Sequence, residues 1–114
     1  MRTEADLPWE ISCKSVKAKL DAGEQFYFLD CREQDEYDLV HIGSTKLVPL
    51  SVLPSRVAEI EPYKNQSIVV HCHHGGRSMR VAQWLRQNGF EKAQSMAGGI
   101  HTWAEEIEPG MKKY

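Results

Sequence analysis

The residues of this 114-residue chain best suited to covalent chemistry stand together, as His71-Cys72-His73-His74-Gly75-Gly76-Arg77-Ser78. A cysteine reacts as its thiolate, so what matters is whether its neighbours favour the charged form. Gly75 and Gly76 allow the backbone to curl until successive N–H groups face inward, the geometry of an anion-binding nest. A segment of helical pattern follows at once, and the positive end of its dipole would face the same point. Between His71 and Phe90 there is no Asp or Glu, while Arg77, Arg80 and Arg86 are present. All three features favour a thiolate at Cys72 over the usual fate of a single cysteine, an inert thiol in a core.

Such a loop needs a rigid mount, and the flanking sequence supplies one. Ile68-Val69-Val70 is a short, wholly apolar run that hands over to a Gly-bearing turn and a helix, the pattern of a buried parallel strand meeting its crossover. Cys72 then lies at the carboxyl end of that strand, where open parallel sheets bind their ligands. Val81, Trp84 and Leu85 make one apolar stripe on the helix, and Asn88-Gly89-Phe90 reads as its C-terminal stop with a hydrophobic contact. The helix is thereby anchored, and its N-terminus is held against the cysteine.

The remaining elements alternate in type. Trp9-Glu10-Ile11 reads as a short strand, and Ser12 as the N-cap of a helix from Cys13 to Ala22 that stops at Gly23. Phe26 to Cys31 reads as an aromatic-rich strand with Asp30 and Arg32 at its carboxyl end. Leu47-Val48 is a minimal strand, Pro49 to Pro54 leads into a helix through Ile60, Ala93 to Met96 is a further strand, and a last helix carries Ile100, Trp103 and Ile107. Strands alternating with helices argue an α/β architecture. Residues 1–8 read as a flexible arm and 9–114 as a single domain, long enough to bury a core without metal or disulfide help.

Cys72-His73-His74-Gly75-Gly76-Arg77-Ser78 resembles the active-site loop of rhodanese-type sulfurtransferases, six residues counted from the cysteine through the arginine. Cell-cycle dual-specificity phosphatases of similar fold place the arginine one residue later, in a loop enlarged to hold phosphate, and here that position is Ser78. The resemblance therefore implies a smaller electrophile, the outer sulfur of thiosulfate or of a persulfide. Leu29-Asp30-Cys31-Arg32-Glu33, with Glu36-Tyr37 and His41-Ile42, resembles a second family signature in which the Asp and the Arg brace the active-site wall. Gly98-Gly99-Ile100 with Trp103 resembles the closing one. Glu108-Pro109 with Tyr114 is similar to the tail of rhodanese domains attached to molybdopterin and thiamine sulfur-activating enzymes. The fold implied is three-layered, a five-stranded parallel sheet flanked by helices. One departure is visible: Gly43 stands one place early and Ser44-Thr45 occupy the family's usual glycine and small residue, so no function is carried onto that bend.

On this reading Cys72 is the nucleophile, and the loop amides from His73 through Arg77 stabilise its charge. The substrate-binding set is His73, His74, Gly75, Gly76 and Arg77, with Arg77 attracting an anionic sulfur donor and His74 assisting when protonated. Asp30 and Arg32 support the wall as a buried-rim pair, and His41 is a hydrogen-bonded structural histidine. Cys31 alternates with Asp30 and is expected to face away, into core or solvent, and Cys13 is expected to be inert. No cofactor is expected. Metal binding by His71, Cys72, His73 and His74 is weighed down by the absence of a second ligand pair at the right spacing. Gly76-Arg77-Ser78 imitates the end of a nucleotide P-loop but lacks its first glycine and its lysine.

Composition narrows the partners. Charged residues make up 26% and hydrophobic ones 41% of the chain, and a net charge of -2 gives no reason to expect nucleic acid or an anionic membrane. Three scattered cysteines argue against a secreted disulfide framework, and with no apolar run of spanning length and no signal-type leader the expected setting is the cytoplasm. The expected partners are a small anionic sulfur donor and, as an alternative, a protein donor or acceptor in a persulfide relay with little thiosulfate activity. A regulatory binding module without catalysis, and a phosphatase or arsenate reductase using the same thiolate, are the rival classes. The retained cysteine in a basic loop weighs against the first and the short loop against the second.

Overall fold

The computed structural model describes residues 7–114, so most of the arm expected over 1–8 lies outside the described residues. Leu7 and Pro8 are tied down, their carbonyls accepting from Arg86 at 3.0 and 2.8 Å. Five strands, β1 (Glu10–Ile11), β2 (Tyr27–Asp30), β3 (Lys46–Leu47), β4 (Ile68–His71) and β5 (Ala93–Met96), form one sheet in the order β1-β5-β4-β2-β3, every pair parallel. The α/β class and the five-stranded parallel sheet expected from the sequence are both present.

Every residue of β2, β4 and β5 is buried, because helices cover both faces of a parallel sheet. Tyr27, Leu29 and Cys31 of the β2 strand and its end, with Ile68 and Val70 of β4 and Cys72 just beyond it, pack against Leu53 of α3 (Leu53–Arg56) and Val81, Ala82 and Leu85 of α4 (Gly76–Gln87). On the other face Phe28 and Val69 meet Val16 of α1 (Cys13–Asp21) and Ile100 and Trp103 of α5 (Gly99–Glu106). Ser12 caps α1 as expected, its Oγ accepting from Ser15 N–H at 3.1 Å.

Two segments differ from expectation. A helix, α2 (Gln34–Leu39), follows β2; it buries no residue, so it left no apolar periodicity to read, and a capping box between Glu33 and Glu36 secures its start. The helix expected to run to Ile60 is instead a relay of short turns, 3₁₀ at Leu50–Val52, α3, then 3₁₀ at Val57–Glu59 and Glu61–Tyr63. Pro49, Pro54 and Pro62 withhold N–H groups along this stretch and interrupt a regular ladder.

Candidate active site

The carboxyl ends of β2 and β4 lie side by side, with Asp30 paired to His71 in the last bridged register position. Cys31 N–H continues the ladder to the His71 carbonyl at 3.1 Å. In register, the next residues of the two strands are Cys31 and Cys72. Side chains alternate across a strand, so Asp30 and His71 share one face of the sheet while Cys31 and Cys72 share the other. The expectation that Cys31 faces away from Cys72 is thereby corrected. Alternation along one strand separates Cys31 from Asp30 but cannot say which of them shares a face with a residue on the next strand.

The Cys72 loop is gripped from behind by α5. Ile100 N–H donates to the Cys72 carbonyl at 2.9 Å and His101 N–H to the His73 carbonyl at 3.1 Å. Gly99 must be glycine for this: with φ at +59°, a Cβ there would lie 2.5 Å from both of those carbonyl oxygens. With its carbonyls turned to α5, the loop presents amides to the thiol. Gly75 N–H reaches Cys72 Sγ at 3.1 Å and Ser78 N–H, in the first turn of α4, at 3.3 Å. The cradle expected from His73 through Arg77 thus narrows to Gly75 and extends one residue, to Ser78. Gly75 has φ at +111°, whereas Gly76 opens α4 with room for a Cβ.

Two further side chains bear on the sulfur. The Cys31 thiol faces it from the next strand end and favours its charged form, and the Ser78 hydroxyl lies 3.4 Å away, itself 2.7 Å from the buried Ser95 hydroxyl of β5. Cys72 is only 1% exposed, and burial alone would raise its pKa. The Cys31 thiol, then the Ser78 hydroxyl and the Ser78 and Gly75 amides, outweigh that penalty and hold it down at about 4. At neutral pH Cys72 is a thiolate. Donation toward the Cys72 sulfur, then burial and the Cys72 charge, act the other way on Cys31, whose thiol is pushed far up and keeps its proton.

Arg77 does not stand free at the rim. Its guanidinium is bidentate to Glu36 of α2, at 2.7 and 2.9 Å, and Glu36 also accepts from Tyr114 Oη at 2.7 Å. The Arg77 hydrogen bonds hold the Glu36 carboxyl at about 2 despite partial burial, with Tyr114 helping. Asp30 and Arg32 lie on the opposite face from Cys72, both fully buried and paired at 2.8 Å. Arg32 is saturated by Asp30, the Val40 carbonyl at 2.8 Å, the Glu36 carbonyl at 3.3 Å and Tyr114 Oη at 3.0 Å. The pair therefore reaches the cysteine loop through Tyr114, through the chain bearing Glu36, and through His71, 3.5 Å from Asp30 and next to Cys72 in the chain.

His73 lies flat on Tyr114, ring centroids 3.9 Å apart at 6°, and burial and neighbouring His74 disfavour its charged form. His101 of α5 joins them, and the ring nitrogens of His73, His74 and His101 lie within 4.8 Å of one another, the one group among the described residues with donors close enough to share a metal ion. His41 stacks on Tyr37 and bonds its carbonyl at 3.0 Å, as a structural histidine does. The Gly43 bend is closed by Thr45, whose Oγ1 donates to the Ile42 carbonyl at 2.7 Å. Cys13 sits on the far face, its thiol pushed by burial to about 11.

Sequence reasoning left out Cys31, Glu36, Ser95 and Tyr114 as neighbours of the site. Ser78 reads in the sequence as the position where a phosphatase loop would carry its arginine and as the end of a P-loop mimic, not as a donor to the sulfur. A cysteine at the end of one strand and another at the end of a second was the available signal, but only the register joins them.

The site is thus a buried thiolate at the carboxyl edge of a parallel sheet, cradled by the amides of a short loop and a helix N-terminus. The family profile of the rhodanese-like domain matches residues 12–106, and the chain belongs to that family. It is 33% identical over 99 residues to a putative sulfur carrier protein of Bacillus subtilis, covering 87% of this chain and 52% of that protein. It is 31% identical over 118 residues to an adenylyltransferase and sulfurtransferase of Arabidopsis thaliana, covering 91% and 25% respectively. The fold superposes on a thiosulfate sulfurtransferase from Pseudomonas aeruginosa with a TM-score of 0.79 and 28% identity, over 96% of this chain and 21% of the other. The chain spans between about a quarter and a half of the length of these two curated relatives. Family and relatives support sulfur transfer as the general chemistry. Among the described residues no helix is long and apolar enough to cross a membrane.

Proposed function

We propose that the chain moves a sulfane sulfur through a persulfide on Cys72. The thiolate attacks the outer sulfur of thiosulfate or of a persulfide donor; one S–S bond forms, the donor's breaks, and sulfite or a thiolate leaves with the electron pair. A thiophilic acceptor, cyanide or a thiol, then takes the outer sulfur and returns the Cys72 thiolate. The observation that carries this reading is the pair of amides at 3.1 and 3.3 Å from Sγ, which stabilise a sulfur anion before and after loading. In this proposal the loop His73-His74-Gly75-Gly76-Arg77 frames the donor, and Arg77 attracts its charge while Asp30 and Arg32 brace α2 from beneath. A reducing, cytoplasmic setting suits three free cysteines.

A second reading has its own support. Arg77 is already satisfied by Glu36, so a small anion must compete with a carboxylate for it, whereas a protein persulfide needs no such charge contact. A relay between proteins is also in keeping with the sulfur carrier and the adenylyltransferase among the relatives. Incubation with thiosulfate, and separately with a cysteine persulfide, followed by intact mass and peptide mapping, tests both. One added sulfur on Cys72 is expected from at least one donor. Loading from the persulfide alone selects the relay; loading from neither, or on Cys13, contradicts the proposal.

A further inference from the structure

Cys31 has no part in the transfer just described, yet nothing else among the described residues lies so well placed to react with its intermediate. It follows Asp30 directly after the last bridged pair of β2 and β4, and its own N–H extends the ladder to His71. Neighbouring strands run about 4.8 Å apart, and disulfides form between Cα atoms about 4.4–6.8 Å apart. Both residues belong to one core cluster on one face of the sheet, where the Cys31 thiol favours the charged form of Cys72. Cys31 is fully buried, so no outside thiol reaches Cys72 from that side. The amides of Gly75 and Ser78 mark the loop side of the Cys72 sulfur, where a transferred sulfur would be received.

We infer that Cys31 is a resolving thiol: once Cys72 carries a sulfane sulfur, the Cys31 sulfur attacks Cys72 Sγ, expels the outer sulfur as hydrosulfide and leaves a Cys31–Cys72 disulfide. The inference rests on the persulfide reading above. The step balances without an added oxidant. The Cys31 S–H and the Cys72 S–S bonds break, the Cys31–Cys72 S–S bond forms, and the outer sulfur leaves with the electron pair and takes the Cys31 proton. The two electrons that reduce the sulfane sulfur to sulfide come from the two thiols. A dithiol entering by the loop then restores both cysteines. The domain thereby gains a second outcome: with an acceptor present it transfers sulfur, and without one it releases sulfide and locks its nucleophile. Cys13, on the far face and bonded toward the Ala97 and Gly99 carbonyls, cannot substitute.

The test uses wild-type protein, Cys31→Val and Cys31→Ser. Each is loaded from thiosulfate or a small persulfide, freed of donor, and held without thiol while sulfide and intact mass are followed. Each loaded wild-type molecule is expected to release one equivalent of sulfide and end two hydrogens lighter than the reduced protein, with Cys31 and Cys72 in one cross-linked peptide. Per loaded molecule, so that any difference in loading cancels, both variants should release sulfide at least about tenfold more slowly, because a held thiol acts at an effective concentration that free thiols do not reach. Variants that release sulfide at the wild-type rate, or a loaded wild-type protein that forms no cross-link, overturn the inference and leave the transfer reading standing. A wild-type protein that loads from neither donor overturns both.

Discussion

Asp30 and Cys31 are consecutive, equally buried and joined to the same neighbouring strand, yet they stand in opposite kinds of surroundings. On the Asp30 face every charge is answered: Arg32 donates to both carboxylate oxygens, and two backbone carbonyls and Tyr114 take the remaining guanidinium hydrogens. Buried His71, 3.5 Å from Asp30, has its protonation disfavoured by burial. On the Cys31 face a sulfur anion is held by amides, a hydroxyl and a neighbouring thiol, while the Arg77 guanidinium is turned to Glu36. Saturation makes the first a structural joint. Hydrogen bonding by neutral donors makes the second reactive, since a thiolate paired with a guanidinium would be a weaker nucleophile.

That contrast is broken most severely at Asp30. Asp30→Asn leaves Arg32 buried without its counter-charge and should cost about 3–5 kcal/mol in denaturant unfolding. A loss below about 1 kcal/mol would mean the pair is not a joint. Gly99→Ala should cost about 2–3 kcal/mol, because its Cβ must displace the Cys72 and His73 carbonyls from a left-handed backbone. It should also slow Cys72 alkylation, and a variant that reacts at the wild-type rate would show that α5 does not set the loop. Cys31→Val is nearly volume-conserving and should change stability by under about 1.5 kcal/mol. Removing the thiol that most favours the charged sulfur, an effect on the scale of a hydrogen bond to an ion, about 1.5–3 kcal/mol, should raise the Cys72 pKa by about one to two units. An unmoved pKa would take Cys31 out of the site.

The smallest effect lies at the rim. Glu36 has a folded pKa of about 2, below its ordinary value, so its contribution to stability is complete above about pH 4.5 and is lost as pH falls toward 2. Glu36→Gln should remove that acid-side slope and change stability at neutral pH by at most about 1 kcal/mol, since the pair is partly exposed. It should also lower the KM for thiosulfate if Arg77 serves the donor, and leave it unchanged if Arg77 serves only α2.

The sequence discloses the reactive face better than its opposite partner. A cysteine between an apolar run and a glycine-bearing helix start carries its own local signature, so the strand, the loop and α4 could be read directly from residues 67–90. Cys31 could not be placed, because its neighbour is set by a register between strands some forty residues apart in the chain. Glu36 lies in a short helix with no buried residue, and Tyr114 reaches the site from 78 residues beyond it, so neither left a periodic trace. In the 50–63 stretch an expected helix gives way to 3₁₀ turns, because the three-residue spacing of Val57 and Ile60 suits a 3₁₀ turn as well as an α-helix.

The central claim is that donors without charge keep Cys72 ionised. The rate of iodoacetamide alkylation at Cys72 between pH 3 and 9, followed by peptide mass in a Cys13→Ser background, tests it directly. The rate should be flat from about pH 5 upward and fall at lower pH with a midpoint near about 4. A midpoint near about 8.5, the value of an ordinary cysteine, would contradict the account.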